Sequence, residues 1–112
     1  MKQFYKKTFN IKKSDTAPEI AIQVTKESDA TYLNLTGASA TFSMKRGNTT
    51  KVDSATATID DPSNGVVKYL WVAADTDTTG TYRAEFTVTF SDGKISTFPA
   101  NGFIEVEILD SI

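Results

Sequence analysis

Chemistry in this chain would have to come from carboxylates, hydroxyls, lysines and tyrosines. The 112 residues include no cysteine and no histidine, which excludes most metal sites and every catalytic device built on a thiol or an imidazole. No nucleophile elbow, phosphate-binding loop or Ser-x-x-Lys pattern occurs in the sequence. We therefore expect no cofactor and no metal, and we do not expect an enzyme.

Two pairs of aspartates are the remaining candidates for a site. Asp60 and Asp61 are adjacent in a turn that contains Pro and Gly. Glycosidase carboxylates instead face each other across a sugar ring at about 5–9.5 Å, so this pair is not expected to be catalytic. Asp75 and Asp77 lie in a threonine-rich loop, and oxygen-rich loops can bind Ca²⁺. Because the EF-hand spacing is absent, the favoured interpretation is a solvated turn whose Asp and Thr bond their own backbone, with an ion site as the alternative.

Aromatic residues divide into two groups. Tyr69 and Trp71 share a strand face with Val67, which predicts that both are core residues. Three others fall off the core alternation and are candidates for exposed contacts: Tyr5, Tyr32 and Phe103. A sugar-binding platform would require two or three aromatics on one exposed face with amide groups nearby.

The first thirteen residues are strongly basic. They contain five lysines and no acid, which leaves a net charge of −7 on the other 99 residues, because the whole chain carries −2. A basic arm on an acidic body can steer association between copies, and the acidic body disfavours nucleic acid. The simpler alternatives are a solvated segment, or a first strand of the same domain formed by Phe9 and Ile11.

Hydrophobic runs in the sequence are short. None approaches the roughly 20 apolar residues of a membrane span, and the N-terminus has no apolar run of signal-peptide length. We therefore expect no contact with a membrane. The absence of cysteine favours a reducing compartment.

Strand-like alternation recurs along the chain, in runs separated by turn residues. The clearest run is 81–90, in which every second residue is apolar or aromatic. Further runs cover 19–26, 38–44, 52–59, 67–71, 94–98 and 104–108, with strong turn signals at 60–65 and 92–93. Seven to eight short strands at this spacing predict an all-β fold, an immunoglobulin-like antiparallel β-sandwich that forms one domain over 14–112.

Tyr82 opens the clearest strand, two residues after Gly80. Immunoglobulin-type domains place a tyrosine corner at this point, where the hydroxyl bonds back to nearby backbone. Position 84, which often carries a cysteine in such domains, is alanine, and the upstream Asp77 is one residue further away than usual. We interpret Tyr82 and Gly80 as a structural corner, with an ordinary core tyrosine as the alternative.

The order of several motifs resembles a phage family. The motifs are 32–38 (Tyr-Leu-Asn-Leu-Thr-Gly-Ala), 41–45 (Thr-Phe-Ser-Met-Lys), 60–65, 79–86, 91–94, 97–99 and the closing run 104–109. In this order and spacing they resemble the N-terminal domain of baseplate upper proteins from phages of Gram-positive bacteria. Short stand-alone prophage proteins of the same build are similar. Because baseplate upper proteins usually continue into coiled-coil or receptor-binding regions, the chain is either a free-standing component or part of a longer protein.

This resemblance implies a structural or assembly component of a tailed phage or prophage virion, in the tail, baseplate or neck. Its partners would be other virion proteins and copies of itself, and it would assemble in the host bacterial cytoplasm before entering the virion. The family supplies no catalytic residues. The alternative is a carbohydrate- or cell-wall-binding module whose partner is a host cell-wall carbohydrate.

We expect the basic arm, residues 1–13, to form the assembly interface by adding to an exposed sheet edge of a neighbour. Aromatic residues would anchor it, and lysines would meet the acidic body of the next copy. The residues of this interface are Lys2, Phe4, Tyr5, Lys6, Lys7, Phe9, Lys12 and Lys13. On this hypothesis, deletion of residues 1–12 abolishes oligomers and leaves the fold intact.

Overall fold

The computed structural model describes residues 2–4, 8–25, 32–99 and 102–112. These residues form nine strands: β1 Lys2–Phe4, β2 Thr8–Lys12, β3 Glu19–Gln23, β4 Ser39–Arg46, β5 Thr49–Asp61, β6 Val66–Tyr69, β7 Gly80–Thr89, β8 Ile95–Phe98 and β9 Ile104–Leu109. Two single turns of 3-10 helix lie at Pro62–Asn64 and Ala73–Asp75. The predicted all-β fold is confirmed. None of the described helical turns is long and apolar enough to cross a membrane.

The strands form two layers that share one strand. Their order is β1-β3-β6-β5-β4-β7-β9-β2, with β8 paired to residues 86–89 of β7. Strand β5 pairs with β4 over residues 49–57 and with β6 over residues 58–61, so it passes from one layer into the other. The layers β1-β3-β6-β5 and β5-β4-β7-β9 follow the strand order of an immunoglobulin-type sandwich.

The N-terminal segment borders both layers. β1 pairs with β3 in parallel, and β2 pairs with β9 in parallel. The other strand pairs in the described parts of the chain are antiparallel. The predicted antiparallel sandwich is thus extended at two edges by parallel pairs, where residues 2–12 contribute strands outside the main alternation pattern.

Aromatic side chains from both layers fill the centre of the core. Phe42 of β4 stacks on Tyr69 of β6 with ring centroids 4.4 Å apart, and meets Trp71 and Phe86 edge-on at 5.5 and 5.0 Å. Phe9 of β2 reaches the same cluster, 5.8 Å from Trp71. All five side chains are buried, so the core positions predicted for Tyr69 and Trp71 are confirmed.

A buried carboxylate holds the hydroxyl of Tyr69. Asp75 accepts hydrogen bonds from that hydroxyl at 2.7 Å and from the Val72 N–H at 3.0 Å, and only 8% of Asp75 is exposed. Burial, and after it the hydrogen bond to Asp75, raise the pKa of Tyr69 far above its usual value. The interpretation of this loop as a solvated turn was therefore wrong for Asp75, whose carboxylate faces the core.

The predicted turn at 60–65 is confirmed, and it joins three chain segments. The Leu35 N–H donates to the Pro62 carbonyl at 2.8 Å, and the Val24 N–H donates to the Gly65 carbonyl at 2.9 Å. Gly65 has a φ of +68°, and a Cβ there would lie 2.6 Å from the Val24 carbonyl oxygen. Both the backbone conformation and the close approach therefore require glycine.

Gly65→Ala should lower the free energy of unfolding by about 1–3 kcal/mol, because it combines a strained φ with a backbone clash. Gly47→Ala is the matched control, since Gly47 has a φ of +57° but open space where its Cβ would lie. Urea denaturation of both variants measures the difference. Equal losses would contradict a role for the close approach to Val24.

The raised pKa of Tyr69 predicts a loss of stability in alkali. Above about pH 10 the tyrosine ionises in the unfolded chain but stays protonated in the folded one, so stability present below that pH falls by about 1.4 kcal/mol per pH unit for this group. Tyr69→Phe should remove that part of the slope, measured by denaturation between pH 9 and about 11.5. An unchanged slope in the variant would contradict the buried, protonated Tyr69.

Candidate interaction surface

The outward side chains of β4 and β7 form a polar surface, which we call the outer face. Residues alternate between the two sides of a strand, so burial of Phe42 places Thr41 outside. The strand register aligns Thr56, Thr41, Thr87 and Thr97 across four strands. The hydroxyls of Thr87 and Thr97 lie 3.2 Å apart.

One end of the outer face is charged. The register places Lys45 beside Arg83, and Arg83 beside Glu105. Arg83 donates to the Gly47 carbonyl at 3.1 Å, and its guanidinium carbon lies 5.8 Å from the centre of the Phe103 ring, within the range of a cation–π contact. Arg83 therefore holds the exposed aromatic ring in place.

A groove of about 400 Å³ crosses this charged end. One wall of the groove lies where the strand paired with β7 changes from β8 to β9. β8 ends at Phe98, opposite Phe86, and β9 begins at Ile104, opposite Ala84. Phe103, directly before β9, lines the groove on this side.

The other wall is built by a bulge in β5. The register of β5 against β4 shifts between Phe42 and Met44, and nearby Ser54 adopts a φ of +49°. The Ser54 N–H donates to the Ser43 hydroxyl at 3.0 Å, which ties the bulge to the groove floor. Asp53, next to Ser54, lines the groove. Bulges of this kind often border functional sites, because they redirect side chains.

Acids and bases occur in equal number along the groove. Lys45 and Arg83 oppose Asp53 and Glu85. Within the described parts of the chain, Lys45, Asp53 and Glu85 form no side-chain hydrogen bond or ion pair. The groove therefore presents charged groups of both signs that do not neutralise each other by direct contact.

Exposure of two predicted contact aromatics is confirmed. Tyr32 is 48% exposed and Phe103 is 47% exposed, and only Phe103 lines the groove. Tyr5 lies outside the described residues. The one signal in the sequence that pointed to the groove was the position of Phe103 outside the core alternation.

The expected basic arm is anchored by two strands. Lys2 and Phe4 belong to β1, and Tyr5, Lys6 and Lys7 lie outside the described residues. The arm begins at one layer of the sandwich and continues in β2 at the other.

Phe9 and Ile11 are core residues of their own domain. They are 0% and 4% exposed. The alternative prediction, that these two residues form a strand of the same domain, is therefore the one that the structure shows. Phe9 is therefore not exposed as an anchor for a neighbour. Lys12 and Lys13 are exposed, and the Lys12 Nζ donates to the Asp110 carbonyl at 3.2 Å.

Tyr82 has the hydrogen bond of a tyrosine corner. Its hydroxyl donates to the Thr78 carbonyl at 2.7 Å, while Asp77 pairs with Lys51. The hydrogen bond from Lys51, and after it the one from Thr78, lower the pKa of Asp77. The Tyr82 hydroxyl and the Lys51–Asp77 ion pair therefore hold the loop before β7 through separate contacts.

Gly80 lies beneath an arginine. Arg46 donates to the Thr79 carbonyl at 3.0 Å, and a Cβ on Gly80 would lie 2.9 Å from the Arg46 guanidinium nitrogen. The glycine therefore lets the Arg46 side chain lie close to the backbone at the start of β7.

The adjacent aspartates of the 60–65 turn serve separate contacts. Asp60 lies 3.3 Å from Lys68, which also lies 3.4 Å from Glu19, and Asp61 accepts from the Asn64 amide at 2.9 Å. The hydrogen bond to Asp60 is the main cause that raises the pKa of Lys68. Across the described residues, no group of three or more potential metal ligands comes together.

Comparison with solved structures finds the same fold in a phage protein. The N-terminal domain of phage TP901-1 ORF48 aligns with a TM-score of 0.59 and 14% sequence identity, over 99% of this chain and 98% of that chain. At this identity the likeness concerns the fold. No curated protein matches the sequence.

Comparison with protein families identifies a match that extends over almost the whole sequence. Residues 2–111 match the BppU N-terminal domain, which is the N-terminal domain of baseplate upper proteins. The resemblance indicated by the order of the sequence motifs is thereby confirmed. The chain belongs to the BppU N-terminal domain family.

Proposed function

We propose that this domain is a structural component of the baseplate of a tailed phage or prophage, and that it acts through contacts with other virion proteins and with copies of itself. The family match over residues 2–111 is the observation that carries the proposal. On this proposal, the protein assembles in the cytoplasm of the bacterial host and then becomes part of the virion.

The fold suits a component that must hold its shape. One core cluster contains residues from both layers, including Phe9 of β2, Phe42 of β4 and Val67 of β6. Strands β1 and β2 border the two layers, which leaves a nearly closed sandwich. Such a body can fix the distance between the partners that it contacts.

We place the contact at the free edge of β2. β2 ends the strand order, and β9 is its partner in the described sheet, so its other edge offers main-chain groups to a neighbouring strand. Lys12 and Lys13 lie at its end and are exposed. Because Phe9 and Ile11 fix β2 in the core, the lysines extend from a rigid strand, where they can meet the acidic surface of a neighbour.

The remaining arm residues belong to the same proposed contact. They are Lys2, Phe4, Tyr5, Lys6 and Lys7. Deletion of residues 1–12 is not a clean test of it, because the deletion also removes Phe9 and Ile11 from the core. Charge reversal at the exposed lysines avoids that loss.

Phage particles induced from a lysogen that carries the gene should contain the protein. Immunogold electron microscopy should label the end of the tail, because a baseplate component is located there. Particles that lack the protein, or label confined to the head, would contradict the proposed location. Particles from a lysogen with the gene deleted serve as the control.

The variant with both Lys12→Glu and Lys13→Glu should lose oligomers that form at the β2 edge, because the reversed charges would repel an acidic neighbour. Light scattering at matched concentration measures the mass, and thermal unfolding checks the fold. Lys94→Glu, at an exposed lysine in the β7–β8 turn, is the matched control. Oligomers of equal mass in the double variant, or a wild-type chain that is monomeric, would contradict this contact.

A further inference from the structure

The groove on the outer face has the features of a ligand site. It is about 400 Å³ in volume, which is within the range of small-molecule sites. Phe103 lines one wall and is 47% exposed. The Arg83 guanidinium lies against that ring, so the aromatic surface is positioned before any ligand arrives.

Charge determines which ligands fit. A ligand with a net charge would be attracted by one pair of groove residues and repelled by the other, because Lys45 and Arg83 are balanced by Asp53 and Glu85. A hydroxyl group both donates and accepts hydrogen bonds. A neutral ligand with many hydroxyls can therefore accept from Lys45 and donate to Asp53 and Glu85, and hydrogen bonds to charged groups are the stronger kind.

The floor of the groove argues against an extended peptide. Its strands, β4 and β7, are interior strands of the sheet. A peptide therefore cannot extend the sheet there by strand addition, which requires an unpaired edge. Recognition at this site has to come from side chains.

We infer that the groove binds one or two sugar units of a neutral oligosaccharide. The C–H groups of a pyranose ring would lie on the face of the Phe103 ring that Arg83 does not cover, because aromatic faces are electronegative. Its hydroxyls would bond Lys45, Asp53 and Glu85, which have no such partner in the described structure. This inference does not depend on the protein contacts at β2, since the two surfaces use different residues.

NMR titration of the ¹⁵N-labelled chain tests this inference, with maltohexaose, N-acetylchitohexaose, mannohexaose and xylohexaose as probes. At least one should produce saturable shifts confined to amides of the groove, at residues 43–45, 83–85 and 103. Phe103→Ala should weaken that binding about tenfold, as expected for loss of an aromatic contact of about 1.4 kcal/mol. Tyr32→Ala, at an aromatic that is equally exposed outside the groove, should leave it unchanged.

A second variant tests the charge argument. Asp53→Asn combined with Glu85→Gln should weaken binding of the neutral sugar severalfold and should introduce binding of a sulfated hexasaccharide, because the groove becomes basic. Absence of saturable shifts with every probe would overturn the inference, as would equal weakening by Tyr32→Ala. Shifts at the groove that depend on protein concentration without sugar would assign the surface to a second copy of the chain, and would overturn it as well.

Discussion

The stack between Phe42 and Tyr69 is the contact on which the arrangement of the two layers depends. It joins β4 of one layer to β6 of the other at 4.4 Å. Asp75 fixes the position of Tyr69 by accepting its hydroxyl. The hydroxyl of the next residue, Thr76, donates to the Asp15 carbonyl, and the Thr76 carbonyl accepts a hydrogen bond from the Ser14 N–H. The central ring stack is thus connected, through short polar contacts, to the segment that follows β2.

Local pattern was sufficient to predict most strands and the core, but not the edges. The run 81–90 alternates strictly, and burial of Tyr82 and Phe86 follows from that alternation. The parallel pairing of β2 depends on β9, which is distant in sequence, and no short-range signal encodes such a partner. The prediction that Asp75 is solvated was wrong, because an acid in a polar loop normally faces water. Its burial here depends on the hydrogen bond from the Tyr69 hydroxyl, which is not visible in the local sequence.

The groove could not be predicted because it arises from a register shift in β5 and a change of strand partner along β7, which lie in distant parts of the chain. Asp53 lies beside the bulge of β5, and Phe103 precedes β9. Sequence alternation identified Phe103 as exposed but gave no indication of its neighbours. The groove lies over β4 and β7, whereas the free edge lies at β2, beyond β9. The proposed protein contact and the proposed sugar site therefore use separate surfaces of one domain.

The pairing of β2 with β9 also has a consequence for synthesis on the ribosome. Thr8 and Glu105, which are hydrogen-bonded at 2.9 Å, are separated by 97 positions in the chain. Strand β2 therefore has to wait for β9, and this edge of the sandwich cannot close until residues 104–109 have been made. Non-local pairing of this kind slows folding. A nascent chain in which β9 has not yet been made would thus have an open sheet border where β2 later pairs.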